Sequence, residues 1–290
     1  MQRLDHIALG IYEKALPSAM TWQERLVTTA EAGFDFLELS IDESDSRLQR
    51  LNWDARQRAE LRETICGIGV PITTLCLSAQ RRFPMGSSSL EIRQESLTIV
   101  KKAIDLACDL GIRILLIPGY DVYYESSDAS TWARFLEGLS QAVGWASRTG
   151  VMLALENTER SLTSITQTVW YVNQLNSPWL QLYGDIGNLN ALGHDVVAEL
   201  VAGAGHLAGL HVKDTLAGQF RNVALGCGTV PFVQAFRALW QIQFSGPILL
   251  EMGGGDNEHA VQTIIAARHW LQAHLLESWS VPGAPTIAKG

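Results

Sequence analysis

The sequence predicts one α/β domain folded as a (β/α)8 barrel, and three observations carry that prediction. Helix–glycine–strand junctions recur at Gly33, Gly69, Gly111 and Gly150, at intervals of 36, 42 and 39 residues. A period of that size, with strand and helix alternating, means βα units around a parallel sheet. The strand-like runs are short and apolar throughout, as in Val151–Leu155, which suits strands buried on both faces. Counting through the chain gives eight such strands and eight helices. A doubly wound open sheet is the runner-up. It would want a G-x-G-x-x-G turn after the first strand, and L-G-I-Y-E-K does not supply one.

In order, the first strand is expected over Leu4–Ile11, followed by a helix over Ser18–Ala32 with apolar spacing at Met20, Leu26, Val27 and Ala30. Gly33 stops that helix as a C′ residue. F-D-F-L-E-L-S is the second strand, and a helix over Arg56–Ile68 leads to the third, V-P-I-T-T-L-C-L-S. Helix Ile92–Leu110 precedes I-R-I-L-L-I-P-G, and helix Trp132–Thr149 precedes V-M-L-A-L-E. In the second half, helix Ser161–Leu175 ends near Asn176-Ser177-Pro178 and W-L-Q-L-Y-G-D is the sixth strand. Helix Val196–Ala204, strand L-A-G-L-H-V-K-D, helix Phe232–Ile242, strand I-L-L-E-M and helix Glu258–Leu276 complete the count. No linker splits the chain, so 1–277 is expected as one domain. The segment 278–290, with Pro282, Pro285 and Gly290, is expected as a loosely held extension.

Composition narrows the function. With 47% hydrophobic residues the chain can build a large core. Its net charge of −8, with basic residues scattered, argues against a nucleic-acid partner held through phosphates. Cys66, Cys76, Cys108 and Cys227 lie far apart with no C-x-x-C, as reduced cytoplasmic thiols do. M-Q-R-L-D-H-I lacks the marks of a signal peptide and no apolar run reaches membrane length, so a soluble, cytoplasmic protein with no membrane partner is expected. Trp132, Trp145, Trp170, Trp240 and Trp270 fall on helices, where they would pack on the barrel or on a second subunit. A homodimer is expected.

The chemistry gathers at the ends of strands five to eight, which carry Glu156, Asp185, His211 and Glu251. One acidic strand end is ordinarily a solvated one. Four successive strands in a barrel are neighbours, however, and their C-terminal ends form the face where such folds place catalysis. Two Glu, one Asp and one His make a hard, oxygen-rich ligand set that suits Mn²⁺, Mg²⁺, Co²⁺ or Zn²⁺. Three packed carboxylates would repel one another without a cation. Glu38, between Leu37 and Leu39, points away from its apolar neighbours, and a structural role in a polar layer is the preferred reading. His6 is read as a packed or surface histidine at the opposite face, His206 as structural, His194 as surface or site-lining, and His259, His269 and His274 as outside the site. For an anion, three features stand out: the glycines 253–255 ahead of the last helix, the pair Arg81 and Arg82, and Lys213 with Arg221.

Six motifs go further: L-G-I-Y-E-K-A-L-P, L-S-A-Q-R-R-F-P, P-G-Y-D-V-Y-Y, D-I-G-N-L, H-V-K-D-T and L-L-E-M. From Leu9 to the last helix the chain resembles the L-xylulose-5-phosphate 3-epimerases, also called L-ribulose-5-phosphate 3-epimerases and sometimes described as hexulose-6-phosphate isomerases. These are xylose-isomerase-like TIM barrels. The resemblance implies a metal-dependent epimerase of a pentulose phosphate, acting in L-ascorbate or related sugar-acid breakdown. It implies Glu156, Asp185, His211 and Glu251 as metal ligands, and Glu156 with Glu251 as the catalytic pair. Substrate contacts are expected from Asn188, Lys213, Arg221, Arg81, Gly253 and Gly254. One glutamate would take the C3 proton from one face and the other return a proton to the opposite face, through a metal-stabilised cis-enediolate. Three departures stand out: Pro118 for the family's Ala, Gln80 for its His, and the glycines 253–255 for a bulkier segment. The last two lie in loops expected to touch substrate, which leaves the sugar preference open. An aldose–ketose isomerase on the same barrel is the nearest alternative, and a non-catalytic sugar-binding barrel is the alternative of another class. A three-metal apurinic endonuclease type would need extra histidines where this chain has Ser78-Ala79-Gln80 and Gly119-Tyr120-Asp121.

Overall fold

A computed structural model describes residues 7–280. Eight parallel strands close into a barrel in sequence order: β1 (Leu9–Tyr12), β2 (Phe36–Ser40), β3 (Ile72–Cys76), β4 (Ile114–Pro118), β5 (Met152–Glu156), β6 (Leu180–Asp185), β7 (Leu207–Val212) and β8 (Ile248–Leu250). The barrel closes where β8 pairs with β1, Leu9 opposite Ile248. Outside it stand α1 (Trp22–Glu31), α2 (Ala55–Ile68), α3 (Leu90–Leu110), α4 (Ala129–Thr149), α5 (Ile165–Leu175), α6 (Val196–Ala202), α7 (Phe232–Gln241) and α8 (Ala260–Ser280). Short helices Asp45–Leu48 and Ile186–Ala191 are inserted in the loops after β2 and β6.

The helix ends follow local chemistry. Thr21 with Glu24, Asp54 with Gln57 and Asp128 with Thr131 form reciprocal capping boxes that satisfy first-turn N–H groups. Asp128 explains why α4 begins three residues ahead of the expected Trp132. Gly111 and Gly150 end α3 and α4 in the left-handed region (φ +75° and +74°), which a Cβ would oppose. The last helix runs past the expected Leu276 to Ser280. Ser278 is fully buried and accepts a 2.9 Å hydrogen bond from Trp240 Nε1. The rest of the expected extension, 281–290, lies outside the described residues, as do His6 and the start of the expected first strand.

Side chains alternate along each strand, and the alternation separates two cores. Leu153 and Leu155 on β5, Leu182 on β6, Leu210 and Val212 on β7 and Leu250 on β8 face the helices in one large cluster. Ala154, Tyr183 and Leu249 belong instead to a smaller cluster with Tyr12, Phe36, Cys76, Ile114 and Leu116, which fills the barrel. Large and small residues interlock there. A Cβ on Gly10 would come within 2.2 Å of the Phe36 ring, and one on Gly209 within 2.5 Å of Tyr183. Each fully buried Leu, Ile or Phe contributes about 1.5–3 kcal/mol. Trp132, Trp145, Trp240 and Trp270 pack against the core, whereas Trp170 is 53% exposed. Among the described residues no helix is long and apolar enough to cross a membrane.

Candidate active site

The same alternation assembles the site. Glu156 shares its face with Ala154, Asp185 with Tyr183, His211 with Gly209, and Glu251 with Leu249, so all four point to the barrel axis from its C-terminal end. Asp185 and His211 are direct cross-strand partners. Ligand atoms of Glu156, Asp185 and His211 lie within 4.8 Å of one another, all three residues buried. Glu251 comes close from β8, its Oε2 3.9 Å from His211 Nδ1, without joining the cluster at that spacing.

His211 is held from both sides. Nδ1 is 2.9 Å from Glu156 Oε1, and Nε2 is 3.0 Å from Oε1 of Glu38. Glu38 is fully buried; Thr74 Oγ1 donates to its other oxygen at 2.6 Å, and Tyr183 OH at 3.5 Å. The inward-facing polar layer is therefore real, and Glu38 contacts the ligand cluster through the back of the imidazole. The signal for this was present in the sequence, an acid alternating with Leu37 and Leu39 on a buried strand. What the sequence lacked was the residue across the barrel, 173 positions away.

Lys213 binds the remaining carboxylates. Its Nζ is 2.6 Å from Glu251 Oε2 and 2.8 Å from Asp185 Oδ2, with only 11% of the side chain exposed. Asp185 Oδ2 meets this ammonium and no other donor. Asp185 Oδ1 instead caps the short helix by accepting from the Asn188 N–H at 2.8 Å. Asn157 locks this corner. It accepts from the Asp185 N–H at 2.8 Å, donates to the Asp185 carbonyl at 2.9 Å, and receives Asn188 Nδ2 on its own carbonyl at 3.0 Å. In D-I-G-N-L the glycine makes room for Lys213, whose Cγ would be 2.4 Å from a Cβ on Gly187.

These contacts separate the titrations. Burial pushes the Glu156 carboxyl up to about 7, although His211 pulls the other way. Burial likewise raises Asp185 against the pull of Lys213. Glu251 is only half-buried, and Lys213 and then His211 hold it well below the usual carboxylate range. Burial would lower His211; Glu38 and Glu156 overcome that and raise it well above the ordinary histidine range. Glu156 is thus easily protonated and Glu251 hardly at all.

Above the cluster lies a cavity of about 390 Å³. Of the residues expected at the site, Glu156, Glu251, Asn188, Lys213, Arg81, Arg221 and Gly253 line it, with Asp185 and His211 beneath. Gly254 does not line it; its φ is +80° and its carbonyl accepts from Asn257. Gly255 packs on Leu16, whose carbonyl a Cβ would meet at 2.2 Å, so close backbone approach explains that glycine. Arg82 turns outward to Asp45 at 2.7 Å. Gln80 is buried away from the cavity and accepts from Ser96 at 3.1 Å, so this departure from the family does not touch the cavity wall. The wall also contains Tyr12, Lys14, Tyr120 and Glu159 and, around the expected Arg221, the rest of the segment Phe220–Leu225, none of which is marked as a site residue by the sequence. Two carboxylates and one imidazole, with ligand atoms within 4.8 Å of one another, fit a divalent metal ion.

The sequence profile of the xylose isomerase-like TIM barrel family matches residues 26–274. The chain is 46% identical over 279 residues to the L-ribulose-5-phosphate 3-epimerase UlaE of Escherichia coli (strain K12 / DH10B), covering 96% of this chain and 98% of that protein. It is 45% identical, with the same coverage, to UlaE of Salmonella heidelberg (strain SL476). The fold matches a crystal structure of D-psicose 3-epimerase with D-tagatose from Clostridium cellulolyticum H10, at TM-score 0.78, 20% identity and coverage of 93% of this chain and 99% of that one. Fold and family profile place the chain in the xylose isomerase-like TIM barrel class. The chain belongs, within that class, to the L-ribulose-5-phosphate 3-epimerase family. It is an enzyme, and the reading as a non-catalytic sugar-binding barrel is set aside.

Proposed function

We propose that this chain interconverts L-xylulose 5-phosphate and L-ribulose 5-phosphate by two-base proton transfer at C3, with a divalent metal ion, in L-ascorbate or related sugar breakdown. The observation that carries the reading is the convergence of Glu156, Asp185 and His211 within 4.8 Å beneath a cavity that Glu156 and Glu251 both line. The 46% identity to UlaE supports the choice of substrate.

Glu156, Asp185, His211 and Glu251 would hold the ion, Mn²⁺, Mg²⁺, Co²⁺ or Zn²⁺, which when bound supplies Lewis-acid stabilisation of the cis-enediolate. Inverting C3 requires acid/base groups on two sides of one carbon. Glu156 on β5 and Glu251 after β8 reach the cavity from strands three places apart around the barrel, and serve those two faces. Lys213, between Asp185 and Glu251, balances their charge and orients Glu251. Asn188 orients Asp185 from behind while facing the cavity. The phosphate is assigned to the wall formed by Arg81, whose buried Nε has no partner, with Ser78 Oγ and Tyr120 OH, also buried and unpartnered. Arg221 and Gly253 face the substrate from other parts of the wall.

Conversion of L-xylulose 5-phosphate by the chelated and the Mn²⁺-reloaded enzyme in D₂O tests this. The reading requires activity that is lost on chelation and restored by metal, with deuterium at C3. Deuterium at C1 or C2 would make the chain an aldose–ketose isomerase.

A further inference from the structure

The loop between β7 and α7 carries the cavity's largest single contribution, the six consecutive residues Phe220–Leu225. Beyond an isolated bridge between Leu216 and Gln219 it contains no regular structure, and about half of its residues are exposed. A long loop with so little apolar packing opens easily unless polar contacts hold it. One side chain supplies four of them. The carboxylate of Asp214, 4% exposed, accepts four backbone N–H groups. They are Thr215 (3.0 Å) and Val230 (3.3 Å) on Oδ1, and Gly226 (2.9 Å) and Gly228 (2.8 Å) on Oδ2.

These contacts join the loop's outgoing residue to its whole returning limb. Bonds to an ionised acceptor are the strong kind. The returning limb is shaped to receive the carboxylate: a Cβ on Gly228 would lie 2.1 Å from Asp214 Oδ1. Asn190 adds a second tie, its Nδ2 3.0 Å from both Thr215 Oγ1 and Thr229 Oγ1. Asp214 makes none of the contacts to the ligand cluster described above.

We propose that Asp214 is the positioning residue that fixes Phe220–Leu225 as the roof of the catalytic cavity. Its place in catalysis rests on the function proposed above; its hold on the loop does not. With the roof fixed, Arg221 stands where it reaches Glu159 at 3.1 Å, and the reacting centre is screened from water.

The test is Asp214→Asn in the full chain, read by amide hydrogen exchange, Mn²⁺ affinity and steady-state kinetics with L-xylulose 5-phosphate. Exchange at Gly226, Gly228 and Val230 should accelerate at least about tenfold while β5–β8 stay protected. Mn²⁺ affinity should hold, and KM should rise about tenfold with a smaller change in kcat, because substrate binding must now order the roof. Gly228→Ala, which pushes the limb off the carboxylate, should reproduce the exchange pattern if the Asn variant folds poorly. Unchanged exchange at these amides in both variants would overturn the proposal. So would acceleration spread evenly through β5–β8, which would make Asp214 a residue of the fold at large. If the wild-type chain does not turn over L-xylulose 5-phosphate, the exchange and Mn²⁺ measurements still decide the matter.

Discussion

His211 stands between two glutamates, its Nε2 3.0 Å from Glu38 and its Nδ1 2.9 Å from Glu156. The back contact fixes the ring, and with Nε2 committed to Glu38 it is Nδ1 that faces the ligand cluster. Glu38→Ala removes that anchor and leaves Thr74 Oγ1 and His211 Nε2 buried without an acceptor. We expect a loss of about 1–3 kcal/mol in stability and a drop of roughly 10–100-fold in metal affinity. Calorimetric titration with Mn²⁺ and thermal melting measure the two; unchanged affinity would deny Glu38 its positioning role.

Metal binding should release protons. The ligands must be a carboxylate and a neutral imidazole, whereas in the metal-free chain Glu156 is pushed up to about 7 and His211 is raised well above its usual range. Affinity for Mn²⁺ therefore rises with pH between about 6 and 8. Calorimetry in buffers of different ionisation enthalpy reads the protons released, and a buffer-independent heat would contradict the assignment.

The same shifts fix the sign of the stability profile. A group whose folded pKa is raised binds more protons folded than unfolded, so stability falls as pH climbs through that pKa. For Glu156 the loss runs from the usual carboxylate range up to about 7, and for His211 it begins near the usual histidine value and continues above it. Glu251 shifts downward, and its contribution is already complete above the carboxylate range. The rise in Tm on adding Mn²⁺ should accordingly be larger at pH 8 than at pH 6. Equal shifts at both pH values would contradict this.

Gly187→Ala tests the packing behind Lys213. The added Cβ would sit 2.4 Å from Lys213 Cγ and 3.0 Å from its carbonyl, so the side chain that links Asp185 and Glu251 must move. A displacement of this kind can cost up to about 10²-fold in kcat/KM. Kinetics of the folded variant measure it, and an unperturbed kcat/KM would show that Lys213 placement does not matter.

The barrel was legible because its signal is local. Short apolar runs after helix-ending glycines mark the βα units of the first half, and the polar residues at or next to the ends of strands five to eight mark the catalytic face. Convergence of Glu156, Asp185 and His211 follows once the strands are neighbours in order. Glu38 reads as structural in the sequence, since nothing near it shows that its partner is His211. The role of Asp214 is hidden for a related reason: its partners are backbone N–H groups, which every residue but proline carries. The glycines 253–255 looked like an anion loop, whereas Gly255 is explained by contact with Leu16, a residue on the far side of the closure between β8 and β1.

The central claim is that Glu156 and Glu251 each serve one face of C3. The direct measurement is solvent exchange at C3 in D₂O, by NMR, for metal-loaded Glu156→Gln and Glu251→Gln with each epimer as substrate. A two-base enzyme predicts that epimerisation falls by about 10²–10⁴-fold in both variants. Each should still exchange the C3 proton of one epimer, and the two variants should favour opposite epimers. Near-normal epimerisation by either variant, or exchange of both epimers by one of them, would contradict it.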